Sequence, residues 1–205
     1  MASSANINDF ISSFAVDLAR PSNFEVEIIP PTIMLENLKQ IDDPTKPAWL
    51  KTIGNGDMIQ KISKLRCEKA EIPPRAFVLI EQKTYGPVEY YPVQNFYNKI
   101  PLTFICSGNM AEKYFFDYWM EIISSSYPSS QYNSGPVRFD FQYKNNYASN
   151  IKIKQFGVDV KDVKYSLVLV DAFPAEVYSL PLSWAQKDDY HRLDVIFAYR
   201  YFYVE

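Results

Sequence analysis

The chain has 205 residues, a length that a single β-barrel or sandwich domain commonly uses. Hydrophobic residues make up 47% and charged ones 22%, a folding rather than a disordered balance, and 16 Tyr, 14 Phe and 3 Trp against 6 Gly weight the chain towards strands. A formal net charge of -3 lacks the clustered Lys and Arg that a dedicated nucleic-acid binder or an anionic-membrane binder needs.

Ile7, Phe10, Ile11, Phe14 and Leu18 recur at helical spacing and predict a short amphipathic helix that Arg20-Pro21 ends. The opening MASSANINDFISSF has neither the basic region nor the apolar core of a signal peptide, and no stretch approaches the ~20 apolar residues of a membrane span, so no export is expected. From Asn23 to Ile29, Phe24, Val26 and Ile28 alternate with Asn23, Glu25 and Glu27, the period of a half-buried strand. Residues 30–64 break this regularity with Pro30-Pro31, Asp42-Asp43-Pro44, Lys46-Pro47 and Gly54-Asn55-Gly56, and read as an insertion in which Met34, Leu35, Leu38 and Ile41 fill one short helix. Its apolar residues are too few for a core of their own, so it is expected to be mobile alone and to dock on a partner, with Met34, Leu35, Leu38, Trp49 and Leu50 as contact candidates.

Strands are predicted over Leu65–Ala70, Ala76–Ile80, Val88–Val93 and Lys99–Cys106. Asn109 and Glu112 have capping-box spacing, and the helix they open carries Ala111, Tyr114, Phe115, Tyr118, Trp119, Ile122 and Ile123 on one stripe and Glu112, Lys113, Asp117 and Glu121 on the other. A Ser-, Pro- and Asn-rich loop over 124–136 follows. Val137, Phe139, Phe141 and Tyr143 then alternate with Arg138, Asp140, Gln142 and Lys144, and strands Ile151–Phe156 and Val163–Asp171 succeed them. Leu193, Val195, Phe197, Tyr199, Tyr201 and Tyr203 predict one long final strand that keeps a single face. No internal repeat is present, and the element order is that of an α+β or mainly β domain.

Catalytic patterns are missing from the sequence. There is no Gly-rich phosphate loop, no nucleophile elbow and no paired-histidine zinc helix, and the single histidine, His191, lies in the polar run Lys187-Asp188-Asp189-Tyr190-His191-Arg192, which reads as a loop between strands rather than a base with its nucleophile. Cys67 and Cys106 are too few and too far apart for a disulfide framework or a zinc motif and read as structural thiols of a reducing compartment. The aromatics Tyr85, Tyr90, Tyr91, Phe96 and Tyr97 lack interleaved basic residues, so they read as core or interface rather than as a base-stacking platform. A monomeric β-barrel that binds a small ligand beside the Trp119 helix is the reading of another class that stays open. No cofactor or metal is called for.

Several segments, in order, resemble the tail tube proteins of contractile-tailed bacteriophages: the entry Ala19-Arg20-Pro21-Ser22-Asn23-Phe24-Glu25-Val26-Glu27-Ile28, the strand Cys67-Glu68-Lys69-Ala70-Glu71-Ile72-Pro73 and the helix segment Phe115-Phe116-Asp117-Tyr118-Trp119. The most specific part is Val168-Leu169-Val170-Asp171-Ala172-Phe173-Pro174-Ala175-Glu176-Val177, then Leu180-Pro181-Leu182-Ser183-Trp184, then the final aromatic strand from Val195 to Glu205. The likeness covers about 17–29 and 65–205 and leaves the insertion aside.

That resemblance implies one tail-tube domain over 1–205: two packed antiparallel β-sheets forming a barrel-like sandwich with one flanking helix, related in fold to the type VI secretion tube protein. It implies a non-enzymatic virion protein that forms hexameric rings stacked into a DNA-conducting tube. The implied partners are the sheath, a baseplate hub or tube initiator, the tape measure protein and the passing viral DNA, with no membrane partner, and assembly takes place in the host cytoplasm. A baseplate or tube-initiator paralogue is the alternative within the family. A lumen that lets a polyanion slide should not be basic, and Arg66, Glu68, Glu89, Arg138, Asp140 and Gln142 are the candidates for its wall.

Overall fold

A computed structural model describes residues 7, 20–39, 62, 64, 66–124, 140–158, 162–185 and 189–205. The expected N-terminal helix, apart from Ile7, and the loop after Ser124 lie outside these residues.

The described chain runs β1 (Phe24–Ile28), α1 (Thr32–Lys39), β2 (Cys67–Ala70), β3 (Ala76–Gln82), β4 (Glu89–Phe96), β5 (Ile100–Ile105), α2 (Ala111–Ile123), α3 (Lys144–Tyr147), β6 (Ser149–Phe156), β7 (Val163–Val177), β8 (Arg192–Ala198) and β9 (Tyr201–Val204). Seven strands join in one antiparallel sheet in the order β1-β6-β7-β8-β5-β2, with β9 added on β7, while β3 and β4 make a separate hairpin. The fold is thus mainly β, as expected, and α1 falls where Met34, Leu35 and Leu38 predict a short helix, but α3 is an additional one, and the end strands β1 and β2 are not paired to close a barrel among the described residues.

The long strand β7 organises the sheet. Its first part pairs with β6 and, from Leu167 to Val170, with β9; from Phe173 onward it pairs with β8. Between them Asp171 takes φ 55°, a conformation that L-residues other than Asn and Asp seldom adopt, and there the strand passes from one half-sheet to the other. Lys144 and Arg200 both approach its carboxylate at 3.7 Å.

Period-two burial holds where one face meets the core. Val26 and Ile28 of β1, Ile151 and Ile153 of β6, Leu167 and Leu169 of β7, Leu102 and Phe104 of β5, and Leu193, Val195 and Phe197 of β8 are buried in one cluster. Helix α2 covers that cluster: the Phe116 ring lies 4.8 Å from Phe104 and 6.0 Å from Phe197, and Trp119 lies 6.1 Å from Phe197. Tilted and edge-to-face aromatic contacts of this kind add to the area that the rings bury.

Four sequence expectations need correction. The final strand is two strands, because the chain breaks at Tyr199-Arg200 and the inward face shifts from Leu193, Val195 and Phe197 to Phe202, with Tyr201 and Tyr203 exposed. Asp140 to Lys144 is not a strand: Phe141 makes one bridge to Ser124, and α3 starts at Lys144. Helix α2 begins after Met110 at φ 55°, and the reach-back partner of Glu112 is Ser107, whose N–H and hydroxyl both donate to it at 2.8 Å, rather than Asn109. Glu112 also leaves the solvent face that its helical position predicted, for it is fully buried.

Candidate assembly surfaces

The β3–β4 hairpin differs from the rest of the molecule. Phe77, Val78, Leu79 and Ile80 follow one another in β3, and each is about half exposed; opposite them Tyr90, Tyr91, Val93 and Phe96 of β4 are exposed as well. Successive strand residues point to opposite faces, so four consecutive exposed apolar residues mean that both faces are uncovered. The pairing runs from Ala76↔Phe96 to Gln82↔Glu89, with a bulge where Leu79 faces Pro92. Each strand of the hairpin pairs only with the other among the described residues, so both outer edges carry open backbone groups. A lone two-stranded hairpin is marginal in water. This one has the composition of an internal strand pair and the exposure of a surface one.

Its root is firmly held. Tyr97 packs its ring 6.1 Å from Tyr199 and 5.8 Å from Phe202, Arg75 stacks over Phe202 at 5.0 Å, and Pro73 is buried. Its tip is open: Tyr85 is fully exposed, and Gly86 turns the chain at φ 131°, where a side chain would be strained.

A second exposed apolar group lies in the β7–β8 connection, where Leu182 is 87% and Trp184 101% exposed. Leu182, Ser183 and Trp184 line an open notch of about 320 Å³, and Pro181 to Ser183 face Asp189 to Arg192 across a second concavity. His191 lies in this connection, as its polar context predicted, half-buried, with its carbonyl accepting the Cys106 N–H at 2.9 Å.

The wall candidates stand on different elements. Arg66 forms an ion pair with buried Glu112. Glu68 accepts from Arg192 Nε at 2.9 Å, and Arg192 in turn stacks on the Tyr190 ring at 4.1 Å. Glu89 stands on the hairpin and accepts from the Tyr91 hydroxyl. Asp140 and Gln142 are exposed beside α3, outside any strand, and Arg138 lies outside the described residues.

Of the contact candidates, Met34 is fully buried and belongs to this chain's own core, together with Ile62 from the far end of the same segment. Met34 is therefore corrected from partner contact to core residue: α1 packs beside α3, which turns that side chain inward. Leu35 is half-buried, and the Leu38 side chain, Trp49 and Leu50 lie outside the described residues. Reasoning from sequence left the aromatics Tyr85, Tyr90, Tyr91 and Phe96 as core or interface and did not single out β3, because an apolar run such as Phe77-Val78-Leu79-Ile80 reads as a buried strand. The signal available was Pro92 inside the partner strand β4, since a proline in a strand marks a sheet edge.

The outward face of β1 and β6 carries balanced charge. Lys154 lies 3.3 Å from Glu27 and 3.9 Å from Glu25, Lys64 lies 3.0 Å from Glu27, and Lys152 pairs with Glu205 at 3.1 Å. Glu27 is held below the usual carboxylate range, chiefly by its hydrogen bond with Lys64.

Residues 19–205 match the family model described as phage tail tube protein. The chain belongs to the phage tail tube protein family. In fold this family member is similar to a chain of the sheath–tube complex of an extracellular contractile injection system in its extended state, with a TM-score of 0.56, 12% identity and coverage of 100% of this chain and 99% of that chain. It is also similar to a chain of the tube-terminating cap of the anti-feeding prophage, with a TM-score of 0.58, 14% identity and the same two coverages. A chain of the anti-feeding prophage baseplate aligns with a TM-score of 0.55 at 9% identity, over 93% of this chain and 97% of that one. No curated protein sequence matches the chain. A tube-type structural protein is what this family membership describes.

Proposed function

We propose that the chain is the major tube subunit of a contractile phage tail, a single domain over 1–205 that forms hexameric rings stacked into a DNA-conducting tube. The observation that carries this reading is the β3–β4 hairpin, apolar on both faces, open on both edges and anchored at its root. Such an element is satisfied when a neighbouring copy covers its faces and extends its edges, and monomers rarely leave contiguous apolar surface of this kind uncovered. The work of the protein is then assembly, without a chemical step. Its partners are further copies of itself, the sheath outside, a baseplate hub or initiator at one end, and the tape measure protein and DNA passing through; assembly occurs in the host cytoplasm and the product resides in the virion.

The lumen wall is proposed to be charge-compensated. Arg66 and Glu68 offer paired charge, Glu89, Asp140 and Gln142 add no positive charge, and the β1–β6 face balances lysines with glutamates. A polyanion gains little counterion-release energy on such surfaces.

A second reading is a terminator, initiator or baseplate paralogue, favoured by the likeness to cap and baseplate chains. The ligand-binding monomer is disfavoured, since Trp119 is fully buried against Phe115 and Phe197. Electron microscopy and sedimentation of the purified chain over a concentration series test the choice. Stacked tubes are expected, single rings that never stack would favour the paralogue, and a monomer near 23.8 kDa at every concentration would overturn the tube reading. Replacing 76–96 by a short turn should leave a folded monomer.

A further inference from the structure

The two end strands of the sheet, β1 and β2, run within 8 Å of each other, Cα to Cα, yet share no backbone ladder among the described residues. β1 is hydrogen-bonded to β6 and β2 to β5, so a seam is left between them. Segment 30–64 leaves from one side of this seam and returns on the other. Strand edges that no ladder ties open readily unless side chains hold or cover them.

Both ends of the segment are gripped. On the outgoing side the Ser149 hydroxyl donates to the Ile29 carbonyl, the Ile29 N–H donates to the Asn150 carbonyl at 3.1 Å, and Pro31 and Met34 are buried where α1 packs beside α3. On the returning side Ile62 is fully buried, and the Arg66 carbonyl already accepts the Ile105 N–H at 3.0 Å. Met34 and Ile62 join the same apolar cluster as Val26 and Ile28 of β1, against which Cys67 and Ala70 of β2 pack. Lys64 then reaches back to Glu27 of β1 at 3.0 Å. That ion pair is weak on its own, since the Lys64 side chain is 44% exposed. The two buried apolar side chains supply most of the hold.

We propose that segment 30–64 is a strap across this seam: Met34, Ile62 and the Glu27–Lys64 pair fasten β1 to β2 in place of a backbone ladder. At its two ends the segment is then part of the lone subunit's fold, with no neighbouring copy needed to order it. The inference does not rest on the tube reading.

Hydrogen exchange on the full chain tests it. Met34→Ala alters the end of the strap next to β1, and Ile62→Ala the end next to β2. Each should speed exchange at least about tenfold in both β1 and β2, while the amides from Leu167 to Phe173 stay slow. Effects confined to the strand next to each substitution would mean two separate core contacts and would overturn the strap. A variant with Glu27→Cys and Lys64→Cys keeps the test independent of whether the alanine variants fold. Mild oxidation should link that pair in the native chain, as peptide mapping distinguishes from links to Cys67 or Cys106, and should slow exchange in both strands relative to the reduced form. A pair that does not link in folded protein, or a link that leaves both strands unchanged, would equally sink the proposal.

Discussion

The indole N–H of Trp119 donates to the carbonyl oxygen of Tyr147 over 2.8 Å, and this bond ties the middle of α2 to the end of α3, just before β6 begins. Trp119 is fully buried, so Trp119→Phe removes the donor, leaves a carbonyl without its partner and opens space beside Phe197. The expected cost is about 2–4 kcal/mol in denaturant unfolding. A loss under about 1 kcal/mol would mean that the carbonyl finds another donor and that α3 is not held by this contact.

Arg66 and Glu112 form a pair in which the carboxylate is fully buried and the guanidinium partly exposed. Removing Arg66 leaves a buried charge whose remaining donors among the described residues come from Ser107. Arg66→Met should therefore cost about 3–5 kcal/mol, and adding Glu112→Gln should restore a good part of it. Unfolding curves of the two single variants and the double one give the coupling directly.

Acid should reveal the Lys64–Glu27–Lys154 cluster. The Glu27 carboxyl is held below its usual range in the folded chain, so its contribution is fully present above the unfolded value, near 4.5, and is lost as pH falls through the lower folded value. Glu27→Gln should be less stable than the parent at pH 7, with the gap narrowing as pH drops below 4.5. A gap that stays constant down to acid unfolding would show that the ion pairs are idle.

Burial pushes the Cys67 thiol up to about 12 and also raises that of Cys106, although nearby Lys113 opposes the shift there. A thiol reagent at pH 8 should therefore modify Cys106 before Cys67 in the native chain, with Cys67 reacting only on unfolding. Peptide mapping after timed quenching separates the two sites.

Much of the fold was legible because half-buried strands announce themselves by alternation. Val26 and Ile28, Ile151 and Ile153, and Leu193, Val195 and Phe197 all fall on the inward face that period two assigns them. Alternation misled where it had no core behind it. Phe141 and Tyr143 alternate with polar neighbours yet stay exposed, since among the described residues no second strand lies there to give them a face. The last strand kept its period on paper through Tyr199, Tyr201 and Tyr203, while the chain shifts phase at Arg200, where no Gly or Pro marks the break. The assembly surface was the least legible part: the apolar run of β3 carries the signature of a buried strand, and what buries such a run can belong to another molecule.

Asp171 permits one strand to serve both half-sheets, and this sharing bears on how the subunit carries load. Neither half can peel away without breaking the hydrogen bonds of β7 to the other, so the domain should open as one cooperative unit, with its slowest-exchanging amides along Leu167 to Phe173. Asp171→Val places a β-branched residue at φ 55° and should weaken that unit by about 1–3 kcal/mol, whereas Asp171→Gly should be nearly silent. In a filament pulled or compressed along its length, force entering near the hairpin root through β8 reaches β6 and β1 by way of this single bent strand. The stiffness of the whole tube would then depend on one residue's tolerance of a left-handed backbone.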